Sequence, residues 1–298
     1  MSRTAEETVA ASLNGRSKDR SVRSIIFLIA LWFSLFFGVV VLLALIVDTA
    51  ISGAPRFDMN LLTNYESTLR PEETGFRAGI LGSIWLMCTT AILAIPLGIA
   101  AAIYLEEFAN QEAWYNRLAE VNLQNLAAVP AIIYGILAVA IMSLLGFSYK
   151  GIVLGGAIAL SLLILPVVII TTREALRAVP REIREGSLAL GATVWQTTWR
   201  NTLPSAIPGI ATGTILGLSR AVGEAAPLLI LGLATVRADP TSIMDKVTAL
   251  PIQIYNLSSA PQEALQTAAS AAIIVLLIMI LGMNALAIYI RNKFQRSW

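Results

Sequence analysis

Two ionisable residues stand inside an otherwise apolar run: Arg220 and Glu224, in the segment 217–227, GLSRAVGEAAP. An isolated charge at a bilayer centre costs at least about 2.5–3.5 kcal/mol, so such residues face a bundle interior or a wet cavity and mark ion pathways. Four apart, they are expected on one helix face and within reach of each other. Two chemistries fit this spacing. The pair is either a neutral bridge that holds the bundle together, or Arg220 lies on the path of an anion and Glu224 partly neutralises it. The order Arg-then-Glu runs against the helix dipole and is the weaker orientation for local stabilisation. A bare arginine would grip an oxyanion through charge-assisted, bidentate hydrogen bonds, and a pathway needs binding weak enough to release. Gly213, Gly217, Ala221, Gly223 and Ala225 leave room for neighbouring helices to approach.

Composition removes most other chemistry. The chain has no histidine and one cysteine, Cys88, in an apolar run. A disulfide framework or zinc site within one chain is therefore excluded, and the commonest proton relay is missing. No Gly-Lys dipeptide occurs, since the lysines follow Ser17, Tyr149, Asp245 and Asn292, so a phosphate-cradling P-loop is absent. If ATP drives this protein, hydrolysis takes place on another chain. A proton-coupled carrier is poorly supported by a single membrane carboxylate. Nothing suggests nucleic-acid binding.

The elements that must position the pair are membrane helices. Of 298 residues 56% are apolar and 13% charged, about half the charge of a soluble domain. Apolar runs of about 20 residues recur, which implies an all-α integral membrane protein. Six spans are expected, at 24–47, 78–105, 125–146, 151–172, 205–236 and 265–290. A polar tail over 1–23 precedes the membrane domain, 24–298, and reads as disordered. Pro96, Pro130 and Pro166 mark irregular spans, and residues around Trp114, Tyr115 and Leu118 suit a short surface helix. Leu250, Ile252, Ile254 and Tyr255 suggest another short helix, lying on the membrane surface. Six spans place both termini on one side. That side collects fourteen Lys and Arg against six on the other, which sets the termini in the cytoplasm.

The loop 173–204 carries five of those arginines, Arg173, Arg177, Arg181, Arg184 and Arg200. Pro180 suits a first helical position and Gly191 a C′ position with φ > 0. Thr193 to Gln196 reads as a capping box opening a second helix, with Leu203-Pro204 stopping it. A plain connection between spans needs only a handful of residues. Two designed helices imply a surface that something grips.

At this loop the sequence resembles a known family. Glu185-Gly186-Ser187, then Gly191, then Leu203-Pro204 is similar to the EAA loop of ABC-importer permeases: Glu-Ala-Ala, three residues, Gly, nine residues, and a hydrophobic-x-Leu-Pro ending. Gly186 and Ser187 stand for the two alanines, keeping the steric role, and Asn201 for the usual isoleucine. Residues 96–107 (PLGIAAAIYLEE), 128–135 (AVPAIIYG), 220–229 (RAVGEAAPLL) and 250–255 (LPIQIY) further resemble the phosphate branch, the PstA-type permeases.

The resemblance implies a type I importer, MetI-like permease fold. It also implies a heterodimer with a second, PstC-type permease, two PstB-type ATPase subunits that hold ATP-Mg, and an extracytoplasmic PstS-type phosphate-binding protein, in a bacterial inner membrane. No cofactor is expected on this chain. The coupling helix carries over to 180–191, with Arg184, Glu185, Gly186, Ser187 and Gly191 meeting the ATPase. The pore arginine and glutamate carry over to Arg220 and Glu224. Alternating access would open the pathway outward when ATP closes the ATPase dimer. The competing readings are an ABC permease for molybdate, sulfate or polyamine, and an anion channel or phosphate-sensing scaffold. A polyamine path would favour acidic lining, and ATP dependence of uptake separates a coupled machine from a channel.

The charge asymmetry makes a direct prediction. With Cys88→Ser as background, single cysteines are placed at Ser187 and Ser242. An impermeant thiol reagent added to spheroplasts should label position 242 and spare 187. Labelling of 187 in sealed cells would reverse the orientation.

Overall fold

The computed structural model describes residues 22–110 and 112–294, so the tail reading over 1–21 lies outside the described residues. Val22 and Arg23 already belong to the first helix. Among the described residues all regular structure is helical, apart from one backbone bridge between Ile152 and Lys246.

Four helices are long and apolar enough to cross a membrane: α1 (Val22–Gly53), α3 (Arg77–Ile103), α6 (Val153–Arg177) and α12 (Glu263–Phe294). α1 as far as Asp48 is a unit by itself, and the chain from Thr49 forms the packed bundle. A short α2 (Met59–Thr63) precedes α3, its N-cap Asp58 accepting from Leu61 N. The expected span over 125–146 is instead a bent pair, α4 (Trp114–Ala127) and α5 (Ala131–Leu144), meeting at 110° and counting as a fifth crossing if taken together. Pro130 explains the break, because it cannot donate into a continuing helix and holds the residue before it out of helical geometry. The remaining expected crossing is α9 (Leu203–Val222). Its twenty residues span about 30 Å, though its prolines, glycines, threonines and Arg220 dilute its apolar character. The expected continuous span to Val236 is not formed. The helix stops at Gly223, a five-residue α10 (Ala226–Ile230) follows, and the chain beyond it is irregular to Ala249.

α6 is the hub, buried along most of its length between α3, α5 and α9. Gly209, Gly213 and Gly217 form one stripe of α9 and meet Ala175, Thr171 and Val168 of α6, so the two helices run antiparallel in close register. A Cβ added at Gly209 would come within 2.7 Å of the Ala175 Cβ, and one at Gly213 would overlap Thr171. Between apolar helices in lipid this closeness is the source of attraction, since van der Waals packing replaces the hydrophobic effect. The free N–H groups at the start of α6 are met by an incoming segment: Val153 N donates to Asp245 O (3.1 Å) and Leu154 N to Ile243 O (2.9 Å). The Asp245 carboxylate holds that segment by accepting from Thr241 N, the Thr241 hydroxyl and Ser242 N, which keep its pKa below the ordinary range.

The apolar patch at 250–255 is not a surface helix. α11 (Leu250–Ser258) buries Leu250, Ile252 and Leu257 against α3 and α12. Beneath it lies a polar knot that the sequence did not announce. Glu66, 4% exposed, accepts from Gln253 Nε2 (2.9 Å) and the Thr235 hydroxyl (3.0 Å), while Arg237 Nε donates to its backbone oxygen (3.0 Å). Three distant segments are thereby tied together.

Burial raises the Glu66 pKa, opposed by the hydrogen bonds from Thr235 and Gln253 and by the charge of Arg237. A carboxyl whose folded value lies above its unfolded one stabilises the fold fully below the ordinary glutamate range, and that contribution is lost as pH rises through the raised value. The thermal midpoint of the purified permease, compared with that of Glu66→Gln, should therefore shift in favour of the native residue as pH falls. A pH-independent difference would show that Glu66 does not titrate in the fold.

Candidate functional site

Arg220 and Glu224 are brought together, but not on one helix face. Arg220 occupies the last turn of α9, where a cation suits the negative end of the helix dipole. Gly223 caps the helix, and Glu224 lies in the break before α10. Arg220 Nε stands 3.6 Å from Glu224 Oε1, a loose contact, with the two side chains 46% and 25% exposed. The break is walled by α5. Gly135 packs on α10 so closely that a Cβ there would fall 2.7 Å from Pro227 O. Tyr134, in electrostatic range of Arg220, donates from its hydroxyl to Leu126 O across the α4–α5 elbow (2.6 Å). Ser219 donates to Ile215 O (2.7 Å) and is hydrogen-bonded to Asn284 of α12, which the sequence analysis does not single out. The available signal was its amide inside the apolar run 265–290, because buried polar groups in membranes find partners.

The loop 173–204 folds as two helical pieces with corrections at both ends. α7 spans Arg181–Ala189, and Pro180 is its N-cap, not its first residue, because its ψ of 139° is extended. Gly191 adopts φ +85°, as its C′ position requires, and Gly191 N donates to Leu188 O (2.9 Å). Thr193 and Gln196 form the expected capping box at the start of α8 (Val194–Thr197). Leu203-Pro204 does not stop this helix. A π-turn over Thr198–Thr202 adds one residue, closes through Leu203 N to Thr198 O, and carries the chain straight into α9. Pro204 then follows directly on this wider turn, in the first turn of α9.

Glu185 and Gly186 lie on the outer face of α7, and a Cβ at Gly186 would meet nothing, so an alanine fits there as well. Ile183, Leu188 and Leu190 are exposed beside them, Leu190 at 91%. A hollow of about 400 Å³ lies between this face and the next helical piece, lined by Ile183, Gly186, Ser187, Gln196, Arg200 and Asn201. Two departures from the EAA pattern explain each other. The Ser187 hydroxyl bonds the Thr197 hydroxyl (2.9 Å), and Asn201 Nδ2 donates to Ser187 Oγ (2.9 Å), so a polar contact holds α7 to the π-turn where Ala and Ile would pack. Arg184 points the other way. Its guanidinium is held inside the chain by Glu107 Oε1 (2.8 Å), Leu176 O (2.6 Å) and Val179 O (3.2 Å).

A sequence model of binding-protein-dependent transport system inner membrane components matches residues 94–296. The chain is 28% identical over 282 residues to the phosphate transport system permease protein PstA of Yersinia pestis, covering 95% of this chain and 94% of that protein. It is 30% identical over 262 residues to a probable phosphate transport system permease protein PstA of Methanocaldococcus jannaschii, covering 88% and 91%. A bacterial ABC transporter that imports the acidic polysaccharide alginate has a chain of the same fold, with TM-score 0.63 at 16% identity over 92% of this chain and 97% of that one.

The Ser187–Asn201 contact is open to a double-mutant cycle. Ser187→Ala alone leaves the Asn201 amide and Thr197 hydroxyl short of a partner and should cost about 1–3 kcal/mol in unfolding of the purified protein. Adding Asn201→Ile should recover much of that loss, giving a coupling of about 0.5–1.5 kcal/mol. Strictly additive effects would mean that the bond does not hold α7 in place.

Proposed function

The chain belongs to the binding-protein-dependent transport system inner membrane components, and from that membership we propose that it is the permease subunit of an ATP-driven phosphate importer, forming half of the translocation pathway. The phosphate assignment is supported by relatives of near-full length that carry that name. The observation that carries the mechanism is the break after α9. There an arginine is nearly half exposed, and the carboxylate of Glu224 stands 3.6 Å from it. A permanently charged guanidinium matches the planar spacing of an oxyanion's oxygens. The loose glutamate lowers the net charge met by the ion without sealing the site, so the anion is attracted and still released.

The rest of the assembly follows from the same reading. A second, PstC-type permease supplies the other half of the path, and two PstB-type ATPase subunits bind ATP-Mg. A PstS-type binding protein delivers phosphate on the opposite side. The outer face of α7, with Glu185, Gly186 and the exposed Leu188 and Leu190, is the ATPase docking surface, and Gly191 sets its exit angle. The termini and the arginine-rich loop lie in the cytoplasm. Hydrolysis on the partner chains tilts α7 and alternately opens the break to either side.

Three variants test the role of the pair by ATP-driven phosphate uptake in vesicles holding the whole complex, normalised to assembled permease. Arg220→Gln should lower uptake by about tenfold or more, because it leaves a bare carboxylate facing the anion in a low-dielectric passage. The double variant Arg220→Gln, Glu224→Gln should assemble and still transport poorly. Glu224→Gln keeps the attraction without its brake, so tighter retention and slower turnover are expected. Near-normal uptake by the double variant would reduce the pair to a structural bridge, which tolerates loss of both charges together.

A further inference from the structure

A second group of charges lies at the arginine-rich end of the bundle. α3 does not end in an ordinary last turn. After Ile103 it widens into a π-turn, Tyr104–Phe108, closed by Ala109 N to Tyr104 O (2.8 Å). The adjacent Glu106 and Glu107 then address different helices. Glu106 accepts from Arg173 Nε (3.2 Å) and Arg177 Nε (2.8 Å), both on α6. Glu107 accepts from Arg184 on α7, and the same guanidinium donates to Leu176 O in the last turn of α6 and to Val179 O just beyond it. Glu120 on α4 lies 3.6 and 3.7 Å from the two α6 arginines. The two π-turn carboxylates are only 9% and 8% exposed.

We propose that Glu107 and Arg184 are positioning residues that lock α7 to α3 and α6, so that a displacement of α7 carries those helices with it as one rigid piece. The inference rests on the reading of α7 as the ATPase docking helix. Removing one partner from a buried ion pair strands the other charge, so such a bracket resists sliding. Arg184 is committed on both sides at once, to a carboxylate of α3 and to carbonyls that end α6. From there the connection is continuous: α6 packs on the glycine stripe of α9, and Arg220 lies in the last turn of α9. Glu106, Glu107 and Glu120, which break the positive pattern of that end, are thereby accounted for as partners of its arginines.

The test uses the whole complex in vesicles and reads phosphate taken up per ATP hydrolysed, together with the amount of ATPase that co-purifies. In Glu107→Gln, uptake per ATP should fall about fivefold or more while the ATPase stays bound. In a Cys88→Ser background, Glu107→Cys with Arg184→Cys should be similarly uncoupled, and joining the two thiols with a bifunctional maleimide should restore most of the ratio. An unchanged ratio in Glu107→Gln overturns the proposal, and so does a cross-link that abolishes uptake, because α7 would then have to move against α3. Loss of the ATPase from Glu107→Gln also overturns it, since the pair would only be shaping the docking face. Failure of the docking reading itself shows elsewhere: Gly186→Trp, on the open face of α7, would then leave both ATPase binding and uptake intact.

Discussion

Close approach to α6 is the constraint on which the bundle depends. Lipid offers no hydrophobic drive between apolar helices, so attraction comes from atoms in contact, and contact requires small residues. α9 supplies three glycines at four-residue spacing, and α3 supplies Gly98, where a Cβ would lie 2.7 Å from Val168. With its flanks filled in this way, α6 becomes a fixed frame at both ends. Its first turn is completed by the segment 243–245, and Leu176 O in its last turn accepts from Arg184.

The same two residue types serve opposite purposes along this frame. At one end, the carboxylates of Glu106 and Glu107 are nearly buried and lie 2.8–3.2 Å from arginines that are 10–47% exposed. Unpairing such a group costs about 3–5 kcal/mol, so these contacts hold shape. At the break after α9 the pair is 3.6 Å apart and its carboxylate is 25% exposed. An exposed pair of that kind is worth only about 0–1 kcal/mol, so this contact does little to hold the fold. Burial of the carboxylate, more than residue identity, divides the tight contacts from the loose one.

Irregular backbone gathers where function is assigned: the elbow between α4 and α5, the two π-turns and the break at Gly223. Backbone of this sort is tolerated at membrane depth where protein buries it or a cavity wets it. The elbow is closed by Tyr134 and packed on Pro227, so the break at 223–225 has a firm wall on one side and exposed charges on the other.

Much of this was written in local chemistry. Long apolar runs gave the membrane helices, because each span needs about 20 residues with every backbone group satisfied internally. Gly191, Thr193 and Gln196 gave the ends of the loop helices, since caps depend on neighbours in the chain. The spacing of Arg220 and Glu224 gave their meeting. What sequence spacing could not supply were contacts between residues far apart in the chain. Nothing near Glu66 names Gln253 as its partner across 187 residues, nor does anything near Arg184 name Glu107. The same blindness placed 250–255 on the membrane surface, although α3 and α12 pack against it, and kept 205–236 as one helix. Apolar periodicity is alike for a helix facing lipid and one facing protein, and a proline stops a helix only where no wider turn can absorb it. Those outcomes rest on which helix packs against which, a property of the folded bundle that no single segment carries.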